Sequence, residues 1–330
     1  MIINNKPSKS INNESLAEKA KKLLDEQKFN WVLLKENYEK LDSVRIKSFH
    51  FGNYEVKIQF NPARIISTGA DVSDEAINNR KCFLCRENLP EEQTALAYDK
   101  KYIILCNPYP ILDEHFTIPT VKHTPQSITN SFDELLDLGG DLGKYYSVVY
   151  NGPKCGASAP DHMHFQAVTK NVIPIEIEFD NLKQKNFARI ISDQKIEIYL
   201  AENYSRYAVV FESGNKGELL YAFKILLKAL RNIFPEENEP MLNIICTRAE
   251  KDWRVFIFPR YKHRPNQFFL NDDRKLLISP AAVDMGGLII CPDEEDFNKI
   301  TKEDAADIYK QVSFTKEYAE YIKKKLLEAY

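Results

Sequence analysis

The six residues Asp161-His162-Met163-His164-Phe165-Gln166 constrain this chain more than any other stretch. They follow a turn containing Gly156, Ala157 and Ser158 and open an apolar run that reaches Val168. Along a strand, successive side chains alternate between faces. His162, His164 and Gln166 then share one side, while Met163 and Phe165 share the other. Three polar groups opposite two large apolar ones predict a buried strand with one working face.

The neighbouring patterns say what surrounds that strand. Residues 145–150 read as a second strand, and pairing them with 162–168 places the loop 151–158 beside the two histidines. Alternating residues 45–49 and 54–60 predict two more strands around a turn at Gly52-Asn53. Residues 102–106 and 116–119 read as buried strands, and 127–142 as a helix. Residues 14–41 carry apolar side chains at helical spacing, interrupted near Phe29-Asn30, which predicts one or two helices. In the second half, 196–200, 208–211, 242–246, 253–258 and 288–291 read as strands, and 218–233 and 296–327 as helical. Two strand-plus-helix halves of similar size predict a duplicated α+β architecture, each half an antiparallel sheet with packed helices. The expected boundary lies at residue 175. Residues 1–175 hold the chemistry and the N-terminal helices, whereas 176–330 contain no His-x-His and form a degenerate copy.

Composition narrows the function classes. A length of 330 residues suffices for one large or two ordinary domains. The net charge of −3, with no long basic run, argues against non-specific nucleic-acid binding. There is no 18-residue apolar run, and residues 1–21 are polar without an apolar signal region, so a soluble cytoplasmic protein with no membrane partner is expected. Of six cysteines only Cys82 and Cys85 stand at C-x-x-C spacing, which in a cytosolic chain points to metal or redox use more than to a disulfide. A structural Zn²⁺ takes four N or S ligands, and His123 and His162 are the natural remaining pair. The alternative is two unrelated thiols in a turn and two ordinary histidines.

Glycine and serine in a turn beside a His-x-His strand suggest an anion site built from backbone N–H groups. A neutral imidazole attacks phosphorus well when its second nitrogen is held by an acceptor, and a nearby strand carbonyl can be that acceptor. His164 is the candidate nucleophile, because a metal at His162 would occupy that ring. Gln166 can donate its amide to a phosphoryl oxygen as charge develops. Asn151 and Ser158 can do the same from the loop, with Gly156 in the turn. The competing reading is a polar pocket lined by His164 and Gln166 without chemistry. Arg64, after a strand, is placed to reach a phosphate or is a surface arginine. The cationic run Arg260-Tyr261-Lys262-His263-Arg264 suits a polyphosphate or an accepting phosphate, with Lys262 as the contact, or is simply solvated. Asp284-Met285-Gly286-Gly287 reads as a tight turn, and His115 as a structural hydrogen-bonding histidine.

The stretch Asn151-Gly152-Pro153…Gly156-Ala157-Ser158…His162-Met163-His164-Phe165-Gln166 resembles the histidine-triad superfamily. It is most similar to the branch with glutamine in place of the third histidine. That branch holds galactose-1-phosphate uridylyltransferase, diadenosine tetraphosphate phosphorylase and the GDP-hexose phosphorylases. The segment Asn107-Pro108-Tyr109-Pro110…His115-Phe116-Thr117-Ile118-Pro119…His123 resembles the one preceding the triad, and makes Asn107 a substrate-contact candidate. The likeness covers residues 64–168 well and the second half loosely; residues 200–330 offer no motif for a base or sugar.

The resemblance implies duplicated histidine-triad-like halves and a nucleotidyl-enzyme mechanism. His164 would attack the α-phosphorus of a nucleotide or nucleotide-sugar substrate, a nucleoside diphosphate sugar or a dinucleoside polyphosphate, and release the distal group; phosphate or a sugar phosphate would then accept the nucleotide. Gln166 matches the residue that contacts the transferred phosphate, whereas a third histidine typifies hydrolases. Cys82, Cys85, His123 and His162 fall where zinc ligands occur in uridylyltransferases, and a homodimer is compatible with the superfamily. A hydrolase of the same superfamily and a zinc-stabilised nucleotide-binding protein without catalysis are the alternatives.

Overall fold

The computed structural model describes residues 2–3, 14–69 and 72–330. Its strands, in chain order, are β1 (Ile2–Ile3), β2 (Arg45–His50), β3 (Glu55–Phe60), β4 (Ala95–Tyr98), β5 (Tyr102–Cys106), β6 (His115–Pro119) and β7 (Tyr146–Asn151). They continue with β8 (His164–Thr169), β9 (Phe187–Ser192), β10 (Glu197–Ala201), β11 (Val209–Ser213), β12 (Leu242–Ala249), β13 (Asp252–Pro259) and β14 (Leu288–Cys291). The helices are α1 (Leu16–Asn30), α2 (Val32–Glu39), α3 (Ile65–Thr68), α4 (Asp74–Asn78), α5 (Phe132–Asp141), α6 (Pro174–Leu182), α7 (Lys216–Ile233), α8 (Ala282–Met285), α9 (Glu294–Lys299), α10 (Lys302–Val312) and α11 (Lys316–Leu327).

Eleven strands form one sheet in the order β1-β4-β5-β6-β8-β7-β12-β13-β11-β10-β9. The first half contributes β4-β5-β6-β8-β7, and the second, counted from its own edge, β9-β10-β11-β13-β12. These are the same steps in the same order, with α5 and α7 at corresponding places between the third and fourth strands. The expected duplication is therefore present. The two copies share a sheet because their innermost strands pair: Asn151 of β7 lies opposite Asn243 of β12, and Val148 opposite Cys246. A smaller sheet, β14-β3-β2, brings the predicted hairpin onto the second half, with Leu288 opposite Lys57 and Cys291 opposite Phe60.

The alternation along β8 sorts its side chains as expected. Met163, Phe165 and Ala167 enter the core formed with α1, α2, α5, α7 and α11, while Val149 and Val168 enter the opposite core beneath α6, α8 and α10. Burying both faces explains the nearly continuous apolar runs of β5, β7 and β12.

Several elements differ from the sequence expectation for identifiable reasons. The strand starts at His164, two residues later than expected, because residues 161–163 still belong to the turn. The segment 14–41 is two helices broken at Trp31, whose extended backbone ends α1 and whose side chain is buried. Helix α5 begins at Phe132, not at 127, because Ser127 and Ile128 both donate to the carboxylate of Glu239 at 2.6 and 2.7 Å. The stretch 296–327 is interrupted at Thr301, which caps a new helix with Asp304, and again at residues 313–315. Strands β4 and β9 were not apparent in the sequence pattern. Among the described residues, no helix is long and apolar enough to cross a membrane.

Candidate active site and metal centre

The working face of β8 opens onto a cavity of about 470 Å³, within the size range of small-ligand sites. His164 and Gln166 form part of its wall, with Arg64, Arg80, Asn107 and Ser158; Trp31, Phe83 and Leu105 supply apolar surface. His164 is buried, and its Nδ1 lies 2.7 Å from the carbonyl oxygen of His162. A carbonyl only accepts, so Nδ1 carries the proton and Nε2 keeps its lone pair. Burial pushes the ring's pKa down to about 4, which leaves it neutral near pH 7.

The backbone of His164 is held in an unusual way. Its neighbour across β6 is Pro119, and its own N–H and C=O both point the other way, toward Gln126. On its other side the ladder with β7 ends at Val149 opposite Gln166. The amide of Gln126 fills the gap beyond. Its Oε1 accepts the His164 N–H at 2.8 Å, and its Nε2 donates to the carbonyls of His164 at 3.0 Å and Asn151 at 2.8 Å. Gln126 is therefore a wedge between the two strands where their own ladder stops. No local pattern around Gln126 announces this.

Gln166 is oriented by His115. Ile111 donates its N–H to His115 Nδ1 at 3.3 Å, so His115 Nε2 bears the proton and donates to Gln166 Oε1 at 3.1 Å. That fixes the flip of the amide and leaves the Gln166 Nε2 hydrogens for a ligand. His115 is thus hydrogen-bonded as expected, and fully buried at the start of β6.

The other candidates fall in different places. Asn107 donates to Thr117 Oγ1 at 3.0 Å and accepts the Tyr109 N–H at 2.9 Å. Arg64 donates to the Tyr109 carbonyl at 2.9 Å. Asn151 Oδ1 accepts from Asn243 Nδ2 and the Ala282 N–H at 3.0 and 2.8 Å. Gly156 has φ +96°, and a Cβ there would lie 2.6 Å from that of Ala281, so glycine is required by both backbone and space. Lys262 does not join this group: its ammonium is exposed and bonded to Asn266. Within the cationic run, Arg260 is fully buried, and Arg264 reaches the site region instead. Arg80 was not singled out from the sequence. It lines the cavity, pairs with Asp161 at 2.6 Å, and has a buried Nη1 with no hydrogen-bond partner.

Cys82, Cys85, His123 and His162 converge, their ligand atoms all within 4.8 Å of one another. The closest pairs are Cys82 Sγ to His162 Nδ1 at 3.2 Å and Cys85 Sγ to His123 Nδ1 at 3.1 Å. Tetrahedral Zn–S and Zn–N bonds put sulfur and nitrogen ligands ~3.6 Å apart, so the set fits such an ion. His162 Nε2 lies 2.8 Å from the Thr120 carbonyl, which fixes its proton there and turns the Nδ1 lone pair toward the sulfurs. Burial and the Cys82 thiol push the Cys85 thiol up to about 11; a cation between them reverses that balance and favours thiolates. The cluster can bind a metal ion.

Comparison with known proteins is consistent with this geometry. Residues 23–169 match a family described as a domain of unknown function (DUF4922), and residues 179–330 match the GDPGP1-like, C-terminal domain. Yeast Ap4A phosphorylase has a similar structure, with TM-score 0.62 and 18% identity over 89% of this chain and 97% of that one. Its complex with AMP gives 0.61 and 18% over 89% and 96%. Its complex with Ap4A gives 0.61 and 16% over 90% and 97%. No curated protein matches the sequence. The shared fold and the two family matches support the resemblance to the histidine-triad superfamily drawn from the sequence. Along the chain, the DUF4922 match is followed by the GDPGP1-like C-terminal match, and the fold is shared with yeast Ap4A phosphorylase.

Proposed function

We propose that this protein is a nucleotidyltransferase or phosphorylase that works through a covalent nucleotidyl-His164 intermediate. Its substrate would be a nucleoside diphosphate sugar or a dinucleoside polyphosphate. The observation that carries this reading is the His164 ring: neutral, proton fixed on Nδ1 by the His162 carbonyl, in the wall of a 470 Å³ cavity. In the first step the Nε2 lone pair attacks the α-phosphorus, and the bond from phosphorus to the distal phosphate oxygen breaks, its electron pair leaving with that oxygen. The Nδ1–H···O=C bond strengthens as the ring becomes cationic. Gln166, with its Oε1 occupied by His115, presents its Nε2 hydrogens to the developing charge. In the second step an acceptor oxygen attacks phosphorus, the P–N bond breaks, and its electron pair returns to Nε2.

The likeness to yeast Ap4A phosphorylase supports this reading at the level of the fold. Cys82, Cys85, His123 and His162 would hold Zn²⁺. Four protein ligands would fill the coordination of such an ion, so it would supply folding energy and fix His162, whose carbonyl orients the nucleophile. Residues 1–175 serve as the catalytic half and 176–330 as the degenerate copy. All six thiols are unpaired, which suits a reducing, cytoplasmic compartment.

The test is incubation with labelled nucleoside diphosphate sugars and with diadenosine polyphosphates, with and without phosphate. Acid-labile label on the wild-type protein, none on His164→Ala, and phosphate-dependent turnover are expected. Turnover in water alone would make the protein a hydrolase. Retained activity in His164→Ala would remove the proposed nucleophile.

A further inference from the structure

Asn151 ends β7 at the seam where the two halves pair, directly opposite Asn243 of β12. Both side chains are buried. Asn151 also borders a recess whose wall includes Ser158 and Gln166, two residues that line the main cavity as well. Which end of its amide faces that recess decides what it can do there. Nδ2 donates to a phosphoryl oxygen, whereas Oδ1 repels one.

The orientation is set from the second half. Arg260 is fully buried, and a guanidinium has N–H donors but no acceptor. Its Nε donates to the carbonyl of Val312 at 3.3 Å, and its Nη2 to those of Lys262 and His263 at 3.1 and 2.9 Å. Its Nη1 donates to the Pro280 carbonyl at 2.8 Å and to Asn243 Oδ1 at 2.6 Å. A group that only donates must meet the oxygen of Asn243, never its nitrogen. Asn243 Nδ2 therefore points the other way, to Asn151 Oδ1 at 3.0 Å and the Cys155 carbonyl at 2.7 Å. The N–H of Ala282, likewise only a donor, meets the same Asn151 oxygen at 2.8 Å. With Oδ1 held twice, Nδ2 is the end of Asn151 left for the recess, and among the described residues none accepts from it. The bond to Cys155 also fastens the loop that carries Gly156 and Ser158.

We propose that Asn243 is a positioning residue for the nucleotide site: oriented by Arg260, it turns the Asn151 amide so that Nδ2 faces the nucleotide phosphate. The proposal rests on the reading of the cavity as a nucleotidyl-transfer site, and it gives the second half, which has no His-x-His, a part in the chemistry of the first. Asn243 touches no substrate and acts through Asn151. The backbone carbonyl of Asn151 is held in turn by Gln126, which also holds His164. One line of hydrogen bonds thus runs from a buried arginine of the second half to the working strand of the first. A donor already aimed at the phosphate costs no reorganisation when the ligand arrives.

Asn243→Asp tests it on the full chain, because the change keeps the size and the acceptor for Arg260 but replaces the donor with a second carboxylate oxygen. Asn151 then either sets its Oδ1 against that oxygen or turns Oδ1 to the recess. Calorimetry with AMP, GMP, UMP and CMP reads the effect on the nucleotide that binds the wild type most tightly. Asn243→Asp should weaken its binding by about tenfold or more, the worth of a hydrogen bond to a charged group. Asn151→Ala should weaken it by a similar factor, and in that background Asn243→Asp should change it by less than about twofold. Equal weakening by Asn243→Asp in both backgrounds marks a merely structural role and overturns the proposal. Unchanged affinity in Asn243→Asp, or no binding of any of the four to the wild type, overturns it too. Should Asn243→Asp fail to fold, Asn151→Asp carries the test. It keeps an oxygen for Asn243 and Ala282 and places the other at the recess, so it should bind more weakly than Asn151→Ala; equal or tighter binding overturns the proposal. These outcomes are separable from the fate of His164. If the affinities change as expected but no acid-labile label forms on the wild type, the nucleophile reading fails and the positioning stands. If label forms and the affinities stay unchanged, only the positioning fails.

Discussion

Replacing Gln126 with leucine isolates how His164 is held. The substitution keeps most of the side-chain volume and removes three hydrogen bonds: His164 N–H to Oε1, and Nε2 to the carbonyls of His164 and Asn151. The N–H and C=O of His164 both point toward Gln126 and away from β6, so that strand cannot replace the lost partners. The three backbone groups are buried, and each left unpaired costs about 1–3 kcal/mol. The added apolar contact returns about 1 kcal/mol per methylene-sized gain, so the net loss should be roughly 2–8 kcal/mol. Against a domain stability on the order of 5–15 kcal/mol, that is a large fraction. Urea denaturation followed by tryptophan fluorescence should show a lower midpoint at an unchanged m-value. Gln126→Glu keeps an acceptor for the His164 N–H but turns carboxylate oxygen toward two carbonyls, so it should be destabilised most above the pKa of the new carboxyl. A loss below about 1 kcal/mol in Gln126→Leu would show that the wedge is not what holds the two strands apart.

Other substitutions probe separate parts of the site. Cys82→Ser should lower bound zinc, measured by metal analysis, and reduce thermal stability; native protein free of zinc would refute the metal assignment. His115 carries a pH signature, because burial and then the nearby Arg64 depress its pKa from 6.5 to about 3. The unfolded chain therefore binds a proton near pH 6.5 that the folded chain accepts only near 3. Stability from this group is complete above pH 6.5 and is lost as pH falls toward 3, at about 1.4 kcal/mol per pH unit. His115→Asn should flatten the acid limb of the stability curve by that one-proton slope, and an unaltered limb would contradict the assignment. Gly156→Ala should cost about 1–3 kcal/mol, since residue 156 sits at positive φ against Ala281; an unchanged urea midpoint would show that the turn relaxes freely.

Much of the first half was readable because its signals are local. The alternation of His164, Phe165, Gln166 and Ala167 sorts polar from apolar side chains whatever else the chain does, and both faces are buried accordingly. The break near Phe29-Asn30 was equally visible, since helical periodicity lapses there. Strands β4 and β9 were missed because four to six residues at or next to a sheet edge carry too weak a pattern. The start of α5 shifted for a non-local reason: Glu239, over a hundred residues away, captures the N–H of Ile128.

The sequence by itself picked out the candidate groups: a His-x-His-x-Gln stretch, a glycine-bearing turn before it, and a thiol pair with two histidines able to bind a metal. Only the tertiary structure decided how those groups are aimed. The pairing of β7 with β12 lays the second half against the first, and so carries Arg264 and Ser279 to the back of Gln166. Gln126 and His115 acquire their roles the same way, through hydrogen bonds to residues about 40 and 50 positions away. A side chain's chemistry belongs to its own residue, but its protonation, orientation and neighbours are set by whatever the folded chain packs against it.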